Sequence, residues 1–487
     1  MKALVETIEL AVPLSSKPLK VVSIQDVVWA GERMLEATLS PNQCPPVLIY
    51  FPSGTSRPSS SLSRFQGMLG MMEVAAEAGI NTPTVLYCRR PPSLDVGRAM
   101  VMFLKDTKAQ PLMEIWPRLC KTRKEAVIKE LASVMLKLYR YNIGSICTTR
   151  KVHVKGLPTR DNSGLSIPCF FQGPLASVPP LTACPVSLLY FQTLATQTQI
   201  LMDIAERNPN AFLSFWPSID PQALNQDERK AIRDTWTKLY DLATYHCLPV
   251  YATRPVVGQQ AADYADKLFL KQSTGIYHDL DLPRLLVSFE GGNAKIIIGS
   301  GWEYSYHAPH WSVSRMPSWL IPEFSGPRMP PFTEQERLDI CDSIYGHIQK
   351  ESRDWIICYA FGIPNRYFED CLKSFWTSRK SVERRLKLLE ECWRRDHPLP
   401  WPVTEQGTAV NASHYAEWAL ESFLKHPRFL AVRDIWGDLR VAPTSEILTN
   451  ADGSINTELL DELSPYLDKA AIGELLQGTQ HGHCGLS

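Results

Sequence analysis

The chain has 487 residues and carries 51 basic and 51 acidic side chains, so its formal net charge is zero. A balanced charge offers no electrostatic footprint for nucleic acid and no polybasic tether for a membrane surface. With 44% hydrophobic residues the chain is able to bury a large core, and its length fits a two-lobed body better than one small domain.

Cysteine usage and hydropathy predict an intracellular, cytoplasmic protein. The 12 cysteines are scattered and form no CxxC pair, which is typical of reduced thiols. The first residues show neither an Arg-rich amphipathic presequence nor a long apolar segment. No window approaches the roughly 18 consecutive apolar residues of a membrane-spanning helix, so we expect no membrane partner.

The first hundred residues alternate β-like runs with one helical pattern. The clearest strand signal is Val47–Pro52, and the Ser-rich stretch after it lacks both the spacing and the lysine of a phosphate-binding P-loop. Residues 64–78 predict a helix with its apolar residues on one side, ended by Gly79. Further strands are predicted at residues 80–86 and 99–104.

The middle and the end of the chain are mostly helical by pattern. Residues 122–125 and 333–336 both read as capping boxes that open helices, the second of them at the start of an all-helical tail. Residues 150–230 form a Pro- and Ser-punctuated insertion with an apolar helix near residues 188–205. Residues 225–228 cap another helix at the end of this insertion.

A short stretch at residues 277–303 organises the rest of the sequence. An acidic loop leads into the apolar run Leu285–Ser288, a Gly-Gly-Asn turn follows at residues 291–293, and a second apolar run covers Ala294–Ile298. Two apolar runs around such a turn predict an antiparallel β-hairpin, with Asp279 on the loop just before it.

In this layout the stretch resembles the catalytic core of the aminoglycoside phosphotransferase and choline kinase-like family. There the loop reads His-Gly-Asp-Leu-His-Pro-Gly-Asn, and a second motif reads Asp-Trp-Glu after the hairpin. Asp279 falls on the family's catalytic Asp, and Trp302 and Glu303 fall on the end of the second motif. The run Asn142–Ile146 and the run Arg315–Leu320 resemble further family elements, the first of them an element common in the fungal-type branch.

The resemblance spans residues 45 to 400 and implies an α/β (α+β) architecture, the two-lobed protein-kinase-like fold. It places a small β-rich N-lobe in residues 1–105 and a large, mostly helical C-lobe in residues 106–487. In the family, the insertion at residues 150–230 and the later helices shape the pocket for the phosphate acceptor.

The family motifs are degenerate in this chain. The family's Mg²⁺-holding Asn falls on Arg284, and its metal-binding Asp falls on Gly301, or on Gly299 if the strand is the anchor. The nucleotide-gripping Lys falls on Ile49 or Tyr50, and its Glu partner falls near Gln66 or Met68. ATP and Mg²⁺ are the cofactors that the resemblance implies, and these departures argue against both.

Five residues are the candidates for chemistry. Asp279 is the expected base, and His278 is either an acid/base group near neutral pH or a structural histidine. Asp281 is either a ligand that shares one Mg²⁺ with Asp279 or a solvated loop acid. Arg284 either neutralises phosphate without metal or fills an inactive site, and Glu303 belongs to the second motif.

Three functions remain open, and all of them have a small molecule as the partner. The first is a hydroxyl phosphotransferase with a relocated metal site. The second is a kinase-fold enzyme of fungal-type secondary metabolism that cyclises or isomerises a biosynthetic intermediate. The third is a non-catalytic pseudokinase that serves as a scaffold or a small-molecule binder. The sequence does not decide the oligomeric state.

Overall fold

The structure is a computed structural model in which the chain forms two compact units. It describes residues 5–6, 8–9, 20–40, 45–51, 58–89, 100–154, 157–165, 181–182, 190–191, 194–195, 226–244, 273–321, 331–374 and 379–396. The described parts of residues 1–225 and 272–360 form the first unit, and those of residues 226–271 and 361–487 form the second. The predicted lobe boundary near residue 105 stays a prediction.

The N-terminal part of the first unit is a five-stranded antiparallel sheet. Its strands are β1 (Lys20–Trp29), β2 (Glu32–Ser40), β3 (Val47–Tyr50), β4 (Thr84–Arg89) and β5 (Met100–Leu104). In the sheet they lie in the order β1-β2-β3-β5-β4. The central strand β3 is buried along its whole length, because Leu39, Val47, Ile49 and Met102 pack into one apolar cluster. The strand predicted at Val47–Pro52 is thus confirmed in its first four residues.

One long helix, α1 (Pro58–Glu77), connects β3 to β4. It begins before the predicted start at residue 64. Gly79 follows its end with φ +74°, and the amides of Gly79 and Ile80 donate to the carbonyls of Ala76 and Ala75. This is the glycine-terminated helix end that the sequence predicts. The next strand begins at Thr84, because residue 81 instead bridges to Ile297 of the core hairpin.

The core hairpin is confirmed. Strand β11 (Leu285–Glu290) pairs in antiparallel register with β12 (Asn293–Ile298), so that Leu285 lies opposite Ile298. Strand β11 also pairs with the short strand β6 (Gln110–Pro111). Before the hairpin, β10 (Thr274–Tyr277) pairs with β13 (Tyr306–Pro309), and a 3-10 turn at Leu282–Arg284 enters β11. The remaining strands form a separate antiparallel sheet: β7 (Thr148–Val154), β8 (Leu157–Leu165) and β9 (Leu181–Thr182).

The first unit also holds most of the described helices, and their starts test the two capping boxes. These helices are α2 (Leu112–Ile115), α3 (Lys121–Arg140), α5 (His310–Val313), α6 (Glu334–Glu351) and α7 (Arg353–Phe361), with 3-10 turns at Trp116–Arg118, Trp302–Tyr304 and Ser318–Leu320. The box at Thr333 is confirmed, since the Thr333 side chain and Glu336 cap each other's backbone. The box at Thr122 is wrong: α3 starts after Cys120, which makes no side-chain cap bond.

The second unit contributes α4 (Gln226–Thr244), α8 (Ile363–Ser374) and α9 (Arg379–Asp396). Helix α4 follows the predicted cap and buries Trp236, Leu239 and Ala243. Most of the insertion helix predicted near residues 188–205, and the tail beyond residue 396, lie outside the described residues. Within the parts of the chain that are described, no helix has the length and apolar character needed to cross a bilayer.

The order of elements is that of a kinase-like fold. A five-stranded sheet carries one helix between its third and fourth strands, and a hairpin with a preceding acidic loop follows among helices. The predicted fold class, a β-rich N-terminal part and a helical C-terminal part, is therefore confirmed.

Candidate functional site

The predicted catalytic residues lie on one short, well-fixed segment, residues 278–284, which we name the catalytic-loop segment. It leaves β10 and turns into β11, and Asp279 lies just before the hairpin as predicted. The amide of Asp281 donates to the carbonyl of Asp279 at 2.7 Å, and the amide of Arg284 donates to the carbonyl of Asp281 at 2.9 Å. Pro283 in the 3-10 turn restricts the backbone further. The segment is held by its own backbone.

His278 is buried and electrically neutral. Its Nε2 donates to the carbonyl of Ser300 at 3.1 Å, and its ring lies 4.6 Å from that of Trp302. Burial, reinforced by the positive charge of Arg284, lowers the pKa of His278 to about 3. A histidine in this state carries no charge beside Asp279 near neutral pH. A catalytic role for His278 stays a prediction, and its contacts favour a role in orienting the segment.

Asp279 and Asp281 are both half-buried, and they belong to a segment whose backbone is held by its own hydrogen bonds. Between them, the carbonyl of Leu280 accepts a hydrogen bond from Trp319 Nε1 at 2.8 Å. Among the described residues, no group of three or more His, Cys, Asp or Glu side chains is arranged to hold a metal ion. Asp279 as the base and Asp281 as a Mg²⁺ ligand both stay predictions.

Arg284 lies directly against Gly301, and its carbonyl accepts a hydrogen bond from the amide of Gly299 at 2.9 Å. Which of the two glycines corresponds to the family's metal-binding Asp stays a prediction. A Cβ built on Gly301 would meet Arg284 Nη1 at 2.8 Å and Cδ at 2.9 Å. Gly301 also has φ +88°, which disfavours any other residue. The Arg284 guanidinium therefore fills the space beside Gly301, and these are two positions that the resemblance aligns with the family's Mg²⁺ ligands. These residues do not fit Mg²⁺–ATP, because they offer a cation where metal ligands are needed.

Glu303 is engaged by a residue of the N-terminal sheet. Tyr50, on β3, donates its hydroxyl to Glu303 Oε1 at 3.2 Å.

Glu32, at the start of β2, lies near enough for the charges of Glu303 and Arg284 to act on it. Burial first, and then the negative charge of Glu303, raise the pKa of Glu32, while Arg284 opposes the shift. The sequence missed Glu32 altogether, because no local pattern links it to a motif some 270 residues away.

The β1–β2 turn packs onto the catalytic-loop segment. Ala30 has φ +50° and Gly31 has φ +76°, as a two-residue hairpin turn requires. Ser300 Oγ donates to the carbonyl of Ala30 at 2.6 Å, and a Cβ on Gly31 would lie 3.0 Å from Pro283 Cβ. A Cβ on Gly299 would overlap Ala30 Cβ. In protein kinases the glycine-rich loop at this place covers the nucleotide phosphates; here the turn touches the protein instead.

A cleft of about 970 Å³, which we name the hinge-side cleft, lies elsewhere in the first unit. Its walls come from α1, from residues 79–85, from residues 104–108 after β5, and from the far end of the core hairpin. Trp29 lines this cleft and also packs beside Gly299. None of the five predicted site residues is among the described residues that line this cleft.

Together, the sheet, the hairpin and the catalytic-loop segment define a protein with a kinase-like fold. No protein-family model matches the sequence, and no curated protein sequence is significantly similar to it. Solved structures with a similar backbone are aminoglycoside phosphotransferases, at 9–14% sequence identity in the comparisons below.

Three of these structures illustrate the likeness. The gentamicin complex of APH(2″)-IIa has a TM-score of 0.41 at 9% identity, covering 80% of this chain and 95% of that one. A Ralstonia eutropha protein classed as an aminoglycoside phosphotransferase has a TM-score of 0.40 at 12% identity, covering 81% and 97%. The GDP and kanamycin complex of APH(2″)-IIIa has a TM-score of 0.37 at 14% identity, covering 81% and 99%. Because these scores are below 0.5, the fold assignment rests on the strand pairing and element order.

Proposed function

We propose that this chain is a kinase-fold protein that binds or transforms a small molecule without transferring phosphate from Mg²⁺–ATP. The observation that carries the proposal is the packing of the Arg284 guanidinium against Gly301, 2.8 Å from the position of the missing Cβ. A guanidinium that fills this space puts a cation, and neither a carboxylate nor an amide, at the two positions that the resemblance aligns with the metal ligands.

The energetic consequence is a large loss of nucleotide affinity. A charge-assisted hydrogen bond contributes about 1.5–3 kcal/mol. The chain lacks the Lys–Glu pair and both metal ligands, and the place of the lysine is taken by Ile49 or by Tyr50, whose hydroxyl is directed to Glu303. Three such losses weaken binding by at least about a thousandfold, at roughly 1.4 kcal/mol per factor of ten.

The chemistry that remains for the catalytic-loop segment is proton transfer. Asp279 matches the family's base in type and place, and its half-buried position is that of a carboxylate able to meet a ligand. A cyclisation or isomerisation needs no co-reactant, because the base takes a proton from one atom of the substrate and returns it to another. We propose such a reaction on an intermediate of fungal-type secondary metabolism.

A non-catalytic pseudokinase is the second candidate, and a specific observation favours it. The β1–β2 turn is seated on the catalytic-loop segment, because a Cβ on Gly31 would lie 3.0 Å from Pro283 Cβ, and the turn is also held by the Ser300–Ala30 hydrogen bond of 2.6 Å. A segment covered in this way gives a substrate little access. The protein would then act as a binder or scaffold.

Isothermal titration calorimetry with ATP, with and without Mg²⁺, tests the proposal directly. We expect no saturable heat with either titrant up to about 1 mM, because binding at that level corresponds to only about 4 kcal/mol. Micromolar affinity that depends on Mg²⁺ would overturn the proposal and restore the phosphotransferase with a relocated metal site.

The Asp279→Asn variant separates the enzyme from the scaffold. The substitution keeps the shape of the side chain and removes the base, so we expect turnover in the native pathway to fall by about 10²–10⁴-fold. The melting temperature should change little, since Asp279 is only half-buried. Full activity would favour the scaffold. Lost activity with a collapsed melting temperature would mark Asp279 as structural.

A further inference from the structure

We propose that the hinge-side cleft is the binding site for a neutral, largely apolar small molecule, and that Trp29 closes it off from the catalytic-loop segment. The inference rests on the proposed function in one respect, namely that Mg²⁺–ATP does not occupy this part of the molecule. It adds a ligand site that is separate from Asp279, the chemical class of the molecule held there and the residue that limits its extent, and this molecule is not the substrate on which Asp279 acts.

The size and inner wall of the cleft suit a small organic ligand. Ligand pockets usually measure about 300–1,000 Å³ and are lined mainly by apolar side chains. This cleft measures about 970 Å³. Its deep wall is formed by Leu69 and Met72 of α1, by Ile80 and by Ile297, each of which is less than 9% exposed. Filling the cleft would cover further apolar surface, which favours binding by about 25 cal/mol per Å².

The charges around the cleft cancel. Lys105, Lys108 and Lys295 are matched by Glu73, Asp106 and Glu290. Three of these groups are already engaged, because Lys105 Nζ lies 2.5 Å from Glu36 Oε2, Glu73 Oε2 lies 3.8 Å from Arg160 Nε, and Asp106 Oδ1 accepts from the Lys108 amide at 2.9 Å. A cleft without excess positive charge does not attract a polyphosphate. A neutral molecule is the ligand that this balance favours.

A few uncharged polar groups are available to orient such a ligand. Asn81, Thr82 and Thr84 border the cleft on the segment that leads into β4. The Asn81 amide is itself held in place, since its Nδ2 donates to the carbonyl of Ile296 at 3.1 Å. A small number of fixed polar groups on an apolar wall gives orientation without demanding a charged ligand.

Trp29 is the boundary between the two regions. Its side chain is 7% exposed and lines the cleft, and its Cζ3 lies 3.4 Å from the position that a Cβ on Gly299 would take. Gly299 precedes Ser300, which is bonded to the Ala30 carbonyl. An indole held between cleft and hairpin in this way stops a ligand from extending towards Arg284.

The first test uses Nile red, a neutral apolar dye, as the probe. We expect saturable fluorescence enhancement with one dye per chain. Val85→Trp should weaken dye binding at least tenfold, because Val85 lines the cleft and is 37% exposed, so that a larger side chain there fills the opening without entering the core. The matched control is Val22→Trp on β1, the opposite edge strand of the same sheet, where Val22 is 63% exposed and does not line the cleft. Equal effects of the two variants, or no saturable binding, would overturn the proposed site.

The second test addresses the boundary, with metal-free ADP as the competitor. ADP at millimolar concentration should not displace Nile red from the native protein but should displace it from Trp29→Ala, where the way to Arg284 is open. Trp29→Leu takes its place if the alanine variant does not fold. Displacement from the native protein, or no displacement from a folded Trp29 variant, would overturn the boundary. These outcomes are independent of the calorimetry, in which only Mg²⁺-dependent ATP binding contradicts the proposed function.

Discussion

The catalytic-loop segment and the hinge-side cleft differ in what fills the space beside them. At the segment, Arg284 packs on Gly301, Tyr50 bonds Glu303, and the β1–β2 turn is bonded to Ser300. At the cleft, about 970 Å³ stays open between apolar walls and balanced charges. Within the first unit, the five predicted site residues thus lie apart from the hinge-side cleft. The comparison teaches that motif position alone does not locate a binding site.

The tight packing at the segment predicts a large effect for Gly299→Ala. The added methyl would overlap Ala30 Cβ and touch Leu286, and overpacking of this kind costs about 1–3 kcal/mol. Gly346 in α6 is the control, because nothing lies within 4 Å of its Cβ position. Gly346→Ala should stabilise the protein by about 0.5–1 kcal/mol. Chemical denaturation of both variants measures the contrast, and equal, small effects would mean that the turn does not press on the hairpin.

A smaller loss is expected for Tyr50→Phe. The variant removes the hydroxyl that donates to Glu303 Oε1 at 3.2 Å, a hydrogen bond to a charged acceptor that is worth about 1.5–3 kcal/mol at most. Because Glu303 is only half-buried and water can replace the donor, we expect about 1 kcal/mol in the free energy of unfolding. The same substitution combined with Glu303→Gln completes a double-mutant cycle. Additive losses would show that the two side chains do not interact.

Glu32→Gln should have a modest effect whose sign depends on pH. The folded protein holds the Glu32 proton to a higher pH than the unfolded chain does, since its pKa is raised in the fold. The free energy of unfolding therefore falls as pH rises through the interval between the ordinary and the raised pKa of Glu32. Glutamine cannot ionise, so the variant should melt above the wild type at about pH 7.5 and not below about pH 4. A higher melting temperature of Glu32→Gln at low pH alone would contradict the raised pKa of Glu32 in the folded protein.

The smallest expected change comes from restoring the two metal-ligand types. In an Arg284→Asn, Gly301→Asp double variant the cation is gone and a carboxylate is present. We still expect no Mg²⁺–ATP binding by calorimetry, because the Ala30 turn remains bonded to Ser300 and Trp29 remains against Gly299. Micromolar Mg²⁺–ATP binding by the folded double variant would mean that Arg284 and Gly301 alone prevent nucleotide binding in the native protein.

Much of the fold could be predicted because its signals are local. The core hairpin follows from two apolar runs around a Gly-Gly-Asn turn, and the cap at Thr333 follows from its own four residues. The same reasoning was wrong at Thr122, where the helix starts after Cys120. A capping pattern indicates which residue is able to cap a helix, whereas the packing of the whole helix decides at which residue the helix begins.

The candidate site was predicted only in part. The sequence placed Asp279 before the hairpin, which the structure confirms. Its alignment of Arg284, and of Gly301 or Gly299, with the family's metal ligands stays a prediction, and the structure adds that Arg284 packs against Gly301. It left His278 as either a proton carrier or a structural residue, and burial beside Trp302 keeps it neutral.

The sequence by itself determined the core hairpin, the strand that begins at Val47, the helix end at Gly79 and the helix start at Thr333, since each of these depends on neighbours in the chain. Only the tertiary structure decided that Trp29, Glu32 and Tyr50 meet the hairpin, and that the open cleft avoids the catalytic-loop segment. Those contacts join residues some 250 to 270 positions apart. Side-chain volume, burial and charge decide them in three dimensions, and no pattern along the chain records which distant surfaces will touch.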